Sequence, residues 1–191
     1  MSSVAFLRGV NVGKGNRCRP ALIAKQLAHF DIINIGAVGT FVVRTDVSES
    51  VLRDAFAREL PFKCEIMICP AAKIIDLASR DPFSGHPSGP DITRFVNILA
   101  KPVPRPLSSS HQTSNLKHQT SGSLPLPLSL PSENDWLLKI IEIQDRFVLG
   151  LYRRQMKAIS YLGKVERLLG VPATNRNWNT ILKVAKILSL K

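Results

Sequence analysis

The sequence predicts an α+β fold in two halves, and three observations carry that expectation. Short β-branched runs alternate with helical periods through residues 1–70, a second series of such runs follows, and a Ser/Pro-rich stretch without aromatic residues interrupts the second series. The chain has 191 residues, 45% of them apolar, which is ordinary for a folded protein and excludes wholesale disorder.

The first half can be read element by element. VAFLR (4–8) is a short apolar run closed by Gly9 and predicts a buried strand. Pro20 suits a first helical position, and ALIAKQLAHF (21–30) follows with Leu22, Ile23, Leu27 and Phe30 on one side. IINI (32–35) and TFVVR (40–44), separated by Gly36 and Gly39, predict a hairpin. Ser48 is a natural N-cap for ESVLRDAFAREL, whose Val51, Leu52, Ala55, Phe56 and Leu60 keep a helical period. Pro61 ends that helix, and CEIMIC (64–69) closes the unit as a strand. The order β-α-β-β-α-β is that of a ferredoxin-like α-β plait, assigned to residues 1–70.

Residues 71–191 read as a second ferredoxin-like half. Pro70 opens the helix AAKIIDLAS, RFVNILA (94–100) is a strand, and WLLKIIEI (136–143) and RFVLGLY (146–152) pair through a tight Gln144-Asp145 turn. KVERLL (164–169) is a helix stopped by Gly170 and Pro172. A last helix runs from Trp178 to Leu188, with Trp178, Ile181, Leu182, Ala185 and Leu188 as its apolar stripe. Residues 104–132 form the insertion, expected as a flexible loop in the place of this half's first helix. Its prolines at 104, 106, 125, 127 and 131 forbid a helix and remove ladder donors. LPLPLSLP within it could adopt polyproline II, against the plainer reading as linker.

Two end motifs, LRGVNVGKGN (7–16) and LGVPATNRNWNT (169–180), with RQMKAISYLGK (154–164) just before the second, resemble the family catalogued as domain of unknown function 1697. The resemblance covers about 160 residues on both sides of the insertion. It implies an uncharacterised, mostly bacterial α+β protein of two ferredoxin-like halves, with no settled activity. Many members carry Gln-Ser-Gly-Asn at the hairpin where this chain reads GAVGTF (36–41), so any polar role attributed to that turn is in doubt here or belongs to a different subgroup.

Charge is the one unusual number. Lys and Arg total 26 against 14 Asp and Glu, a net of +12. Residues 136–191 hold 11 basic and 3 acidic side chains, a net of +8, while residues 104–135 net zero. This motivates an anionic partner, nucleic acid or another polyanion first. The start MSSVAFLRGVNVG lacks a basic region followed by an apolar core, and no run reaches ~18 apolar residues. The expectation is a cytoplasmic protein with no membrane partner. Cys18, Cys64 and Cys69 are too scattered for a disulfide framework, which fits a reducing compartment. Oligomeric state is left open, with a self-associating interaction module as one alternative.

The candidate sites are few. RGVNVGKGN (8–16) follows a strand and precedes a helix, so Arg8, Asn11, Gly13 and Lys14 are candidates for cradling an anion; the spacing is neither a P-loop nor G-x-G-x-x-G. In TNRNWNT (174–180), Thr174 and Asn177 are natural caps, and Arg176 near a helix N-terminus is electrostatically unfavourable unless an anion joins it. Arg176, Asn177 and Asn179 are therefore ligand candidates. Arg153, Arg154 and Lys164 follow a strand whose Phe147, Leu149 and Leu151 alternate as a core face. An enzyme or sensor for a small phosphorylated or carboxylated ligand would combine the Gly-rich loop with TNRNWNT. No catalytic constellation is recognisable, no cofactor is expected, and no His pair or Cys pair has metal-ligand spacing.

Overall fold

The computed structural model describes residues 1–13, 15–103 and 126–190. In chain order the described residues form β1 (Ser3–Leu7), α1 (Pro20–Gln26), β2 (Ile32–Asn34), β3 (Thr40–Val43), α2 (Glu49–Glu59), β4 (Ile66–Pro70), α3 (Ala71–Ser79) and β5 (Ile92–Leu99). β6 (Leu128–Leu130), β7 (Leu138–Gln144), β8 (Phe147–Arg153), α4 (Met156–Leu169), β9 (Ala173–Asn177) and α5 (Trp178–Ser189) follow. The first sheet has the order β2-β3-β1-β4 and the second β6-β7-β8-β5-β9, every pair antiparallel.

Strand side chains alternate between faces, and here both faces of each sheet are used. Val4, Phe6, Val42, Met67 and Cys69 point from the first sheet into the same core as Val96, Ile98, Phe147, Leu149 and Leu151 of the second. Between them lie α3, through Ile74 and Leu77, and α5, through Trp178, Ile181 and Val184, packed against each other. One central helical layer therefore serves both sheets. The outer face of the first sheet (Ala5, Leu7, Phe41, Val43) is covered by α1 and α2 through Ile23, Leu52 and Phe56. The outer face of the second (Phe95, Leu99, Ile140, Val148) packs on Val165 of α4. Burial on both faces explains why the strand runs are continuously apolar.

Local signals account for most boundaries. Ser48 Oγ accepts from Val51 N at 3.3 Å and starts α2. Gly170, at φ +63°, ends α4 in the left-handed conformation. Gly39 sits at φ +73° in the β2–β3 turn, where a Cβ would lie 2.8 Å from Leu7 Cβ.

Several expectations are corrected. The helix expected over 21–30 stops at Gln26 and continues as a 3-10 turn, Ala28–Phe30, and Leu22 is 51% exposed. Val51 and Leu182, expected on apolar stripes, are also exposed. α4 begins at Met156, eight residues before the helix read from KVERLL; its first turns carry exposed Met156 and Ile159 and a glycine, which blur the apolar period. Gln144 pairs with Phe147, so Asp145 and Arg146 make the β7–β8 turn, Asp145 at φ +54°. Within the expected loop 104–132, Leu128–Leu130 is an edge strand on Leu138–Ile140. Flanking prolines are compatible with an edge position, where half the ladder groups need no partner. Residues 104–125, including His111 and His118, lie outside the described residues.

Two glycines make opposite predictions. A Cβ on Gly150 in β8 would come within 2.6 Å of the Phe95 ring, whereas one on Gly163 in α4 would meet nothing within 4 Å. Gly150→Ala should destabilise by about 2–3 kcal/mol and Gly163→Ala should stabilise by up to ~1 kcal/mol, read by urea unfolding.

Candidate functional site

The Gly-rich loop is built around Asn11, at φ +54°. Its Nδ2 donates to Cys18 O (3.0 Å) and Ala37 O (2.7 Å), and its Oδ1 accepts from Cys18 N (3.1 Å). Asn11 N donates to Asn16 O at 3.0 Å and closes the loop on itself. Asn11 is thus a brace for the loop, with its amide spent on main-chain partners. Gly13, at φ +63°, lies at the exposed tip, where its carbonyl accepts from Arg17 Nη2 at 2.6 Å. Lys14 lies outside the described residues.

TNRNWNT holds a strand that the sequence reading missed. Residues 173–177 form β9, paired with β5 so that Ile98 faces Thr174 and Val96 faces Arg176. Thr174 and Arg176 consequently share the inner face of the second sheet and point at the end of the first. Arg176 is only 4% exposed. Its Nε donates to Thr40 Oγ1 (2.7 Å), and Nη1 donates to Thr174 Oγ1 and Asn175 O (both 2.7 Å). Nη2 donates to Leu7 O, Val38 O and Gly39 O, each at 2.9 Å. Thr174 Oγ1 in turn donates to Leu7 O at 3.2 Å. Burial pushes the Arg176 guanidinium down to about 10, still protonated at neutral pH. The expectation that Arg176 awaits a ligand is corrected: its donors clamp the two sheets together.

A cleft of about 450 Å³ opens beside this clamp, between the Gly-rich loop, residues 63–65 ahead of β4, β9 and α4. The two motifs at opposite ends of the chain meet there, Arg8 and Val12 from one side, Asn175 and Arg176 from the other, with Lys63, Glu65 and Glu166 around them. Arg8 Nη2 donates to Glu166 Oε2 at 2.7 Å, and its Nε reaches Ala173 O at 3.2 Å. The Glu166 hydrogen bond holds the Arg8 guanidinium above its ordinary value. Glu166 Oε1 also accepts from Ala173 N at 3.1 Å. Cys64 lines the cleft as well, its thiol raised by burial.

The other candidates lie elsewhere. Arg153 donates to Asp91 Oδ2 (2.7 Å) and Trp136 O (3.2 Å), and its guanidinium sits 4.6 Å from the Trp136 ring centre. Arg154 donates to Thr93 Oγ1 at 3.1 Å. Lys164 Nζ rests 4.2 Å from the Tyr161 ring centre. Asn177 is the N-cap of α5, its Oδ1 accepting from Asn179 N at 2.9 Å, and Asn179 is exposed. None of these five lines the cleft. Sequence reasoning passed over Lys63, Glu65 and Glu166, which carry no local pattern. It also passed over Arg146, which spans the halves from the β7–β8 turn by donating to Ile68 O (2.8 Å), Leu99 O and Ala100 O. Among the described residues no group of three His, Cys, Asp or Glu side chains is arranged to hold a metal, and no helix is long and apolar enough to cross a membrane.

No family model matches the sequence, and no curated protein matches it. The fold is similar to the solved structure of a conserved bacterial protein from Streptococcus pneumoniae, with a TM-score of 0.57 over 98% of each chain at 13% identity. At that identity the likeness establishes the shared fold.

Two measurements check the site's architecture. Arg176→Ala should cost about 3 kcal/mol in urea unfolding, because it removes six hydrogen bonds at a buried seam and takes a donor from each of the carbonyls at 7, 38 and 39, and Arg176→Lys should restore less than half of that, lacking the planar fork. Cys69, fully enclosed, has its thiol pushed up to about 11 by burial. A disulfide reagent at pH 8 should label Cys18 and Cys64 before Cys69, with Cys69 reacting only as the protein unfolds. Since the folded state holds that proton more tightly than the unfolded chain, the associated stability is present below pH ~9 and lost as pH rises towards 11.

Proposed function

We propose that the cleft between the two halves binds a small anion of low charge, a monocarboxylate or a phosphate monoester, with Arg8 as its recognition group. The observation that carries this reading is the state of Arg8. It is the cleft guanidinium with a solvent face, its side chain 43% exposed, and its carboxylate partner has a second anchor on Ala173 N. An incoming anion can share or replace Glu166 at Arg8 without leaving that carboxylate unpaired. Lys63 stands nearby with no ion pair among the described residues. Glu65 and Glu166 in the same wall disfavour a polyphosphate, which would bring several negative charges against them. No reaction is assigned to the site.

The nucleic-acid expectation loses its motive. Of the cations in residues 136–191, Lys139, Arg146, Arg153, Arg154 and Arg176 are engaged within the protein, two of them bridging the halves. Five of that region's eleven cations are therefore already bonded inside the protein, so its net charge overstates what a polyanion could meet.

We also read each half as a ferredoxin-like plait and the chain as a member of the family catalogued as domain of unknown function 1697. The strand orders support the first reading: β4-β1-β3-β2 and β9-β5-β8-β7 follow the same scheme, β6 being added at the edge. The end motifs LRGVNVGKGN and LGVPATNRNWNT support the second.

Calorimetry with a panel of monocarboxylates, phosphate monoesters and nucleoside triphosphates tests the cleft. Monocarboxylates or phosphate monoesters should bind more tightly than triphosphates, and Arg8→Ala should weaken them by about tenfold or more while Lys164→Ala leaves them unchanged. No binding at millimolar concentration, or affinity indifferent to Arg8→Ala, overturns the reading.

A further inference from the structure

α4 turns Ala158 and Val165 inward and carries a different set of residues on its opposite side. Met156 is 83% exposed and Ile159 57% exposed, and Gly163 lies one turn beyond Ile159 on the same flank. Glycine is among the poorest helix formers, and packing within the chain does not require it here, because a Cβ on Gly163 would meet nothing within 4 Å. A bare backbone flanked by exposed Met and Ile lets another chain come close. The neighbouring flank carries Lys157, Lys164 and Arg167, none of them in a salt bridge among the described residues. The one carboxylate of the helix, Glu166, lies two turns beyond Ile159 and is already bonded to Arg8 and Ala173 N. The outward face is therefore apolar along one side and basic along the other, with its one acidic group neutralised by Arg8.

We propose that this face docks an acidic, amphipathic segment of a protein partner, its apolar stripe over Met156, Ile159 and Gly163 and its carboxylates against Lys157, Lys164 and Arg167. Charge chooses the occupant. A second copy of the chain would set this basic face against another protein of net +12, and like charges across an interface oppose association. A nucleic acid would make no use of the exposed Met and Ile.

The probe is a labelled synthetic helix with leucines at i, i+3, i+4 and i+7 and glutamates elsewhere, compared by fluorescence anisotropy with a peptide of the same composition in scrambled order. The amphipathic peptide should bind at least about tenfold more tightly than the scrambled one, and binding should weaken as salt rises. Met156→Glu with Ile159→Glu, and separately Gly163→Leu, should each reduce affinity by about tenfold or more, with circular dichroism unchanged and resistance to urea no lower than in the parent protein. Equal binding of the two peptides, no binding of either, or peptide binding unmoved by these variants overturns the proposal. So does light scattering that shows a dimer abolished by Ile159→Glu. Binding to phosphatidylserine vesicles with none to the peptide would assign the face to a membrane surface instead.

Discussion

Arg176 carries a full positive charge into the seam where β9 meets the end of β1 and the β2–β3 turn, and among the described residues no carboxylate pairs with it. Removing a guanidinium from water costs several kcal/mol unless its hydrogens find acceptors in good geometry. Here main-chain carbonyls at 7, 38, 39 and 175 and the hydroxyls of Thr40 and Thr174 supply them. Those acceptors belong to both sheets, so the clamp is satisfied only when β9 is in register on β5 and the first sheet is closed by its hairpin turn. The same register sets Asn177 at the head of α5 and Asn175 at the edge of the cleft. Helix, cleft and seam share one geometric condition.

Arginine does this joining repeatedly. Arg8 reaches from the first half to Ala173 O, and Arg146 reaches from the second half to Ile68 O. Each offers several N–H groups in a fixed plane and can bond more than one carbonyl at once, which a lysine ammonium on a flexible stem does less well. The charge excess of the last third of the chain is in good part this internal bonding. Net charge counts such residues as though all were available to a partner, and here they are not.

How far the sequence could be read follows from the same residues. The first half was legible because its buried strands are β-branched and its second helix carries a Ser cap and a proline stop. β9 was not, since the inward positions of its period-two pattern are Thr174 and Arg176, and a search for apolar alternation passes over them. Their spacing, two polar residues on one face between Pro172 and a strong helix, is the signal that could have exposed the strand. The GAVGTF turn departs from the polar stretch that the family resemblance leads one to expect there. Its contribution to the clamp is made by the carbonyls of Val38 and Gly39, which are indifferent to the side chains around them. Of the cleft, the two end motifs were visible, but Lys63, Glu65 and Glu166 are ordinary charged residues until the fold assembles them.

The shared central layer also sets a timetable for synthesis. The inner face of the first sheet, with Val4, Phe6, Val42 and Met67, exists as soon as residues 1–70 have been made, yet α5, which completes its cover, is encoded at 178–189. At 5–20 residues per second a ribosome takes on the order of ten seconds to bridge that interval. Throughout it, a nascent chain carries an apolar sheet face shielded by α3 alone. The protein's exposure to aggregation is therefore decided while it is still being translated, and a chaperone that holds the first sheet until α5 emerges would act on the step where this architecture is weakest.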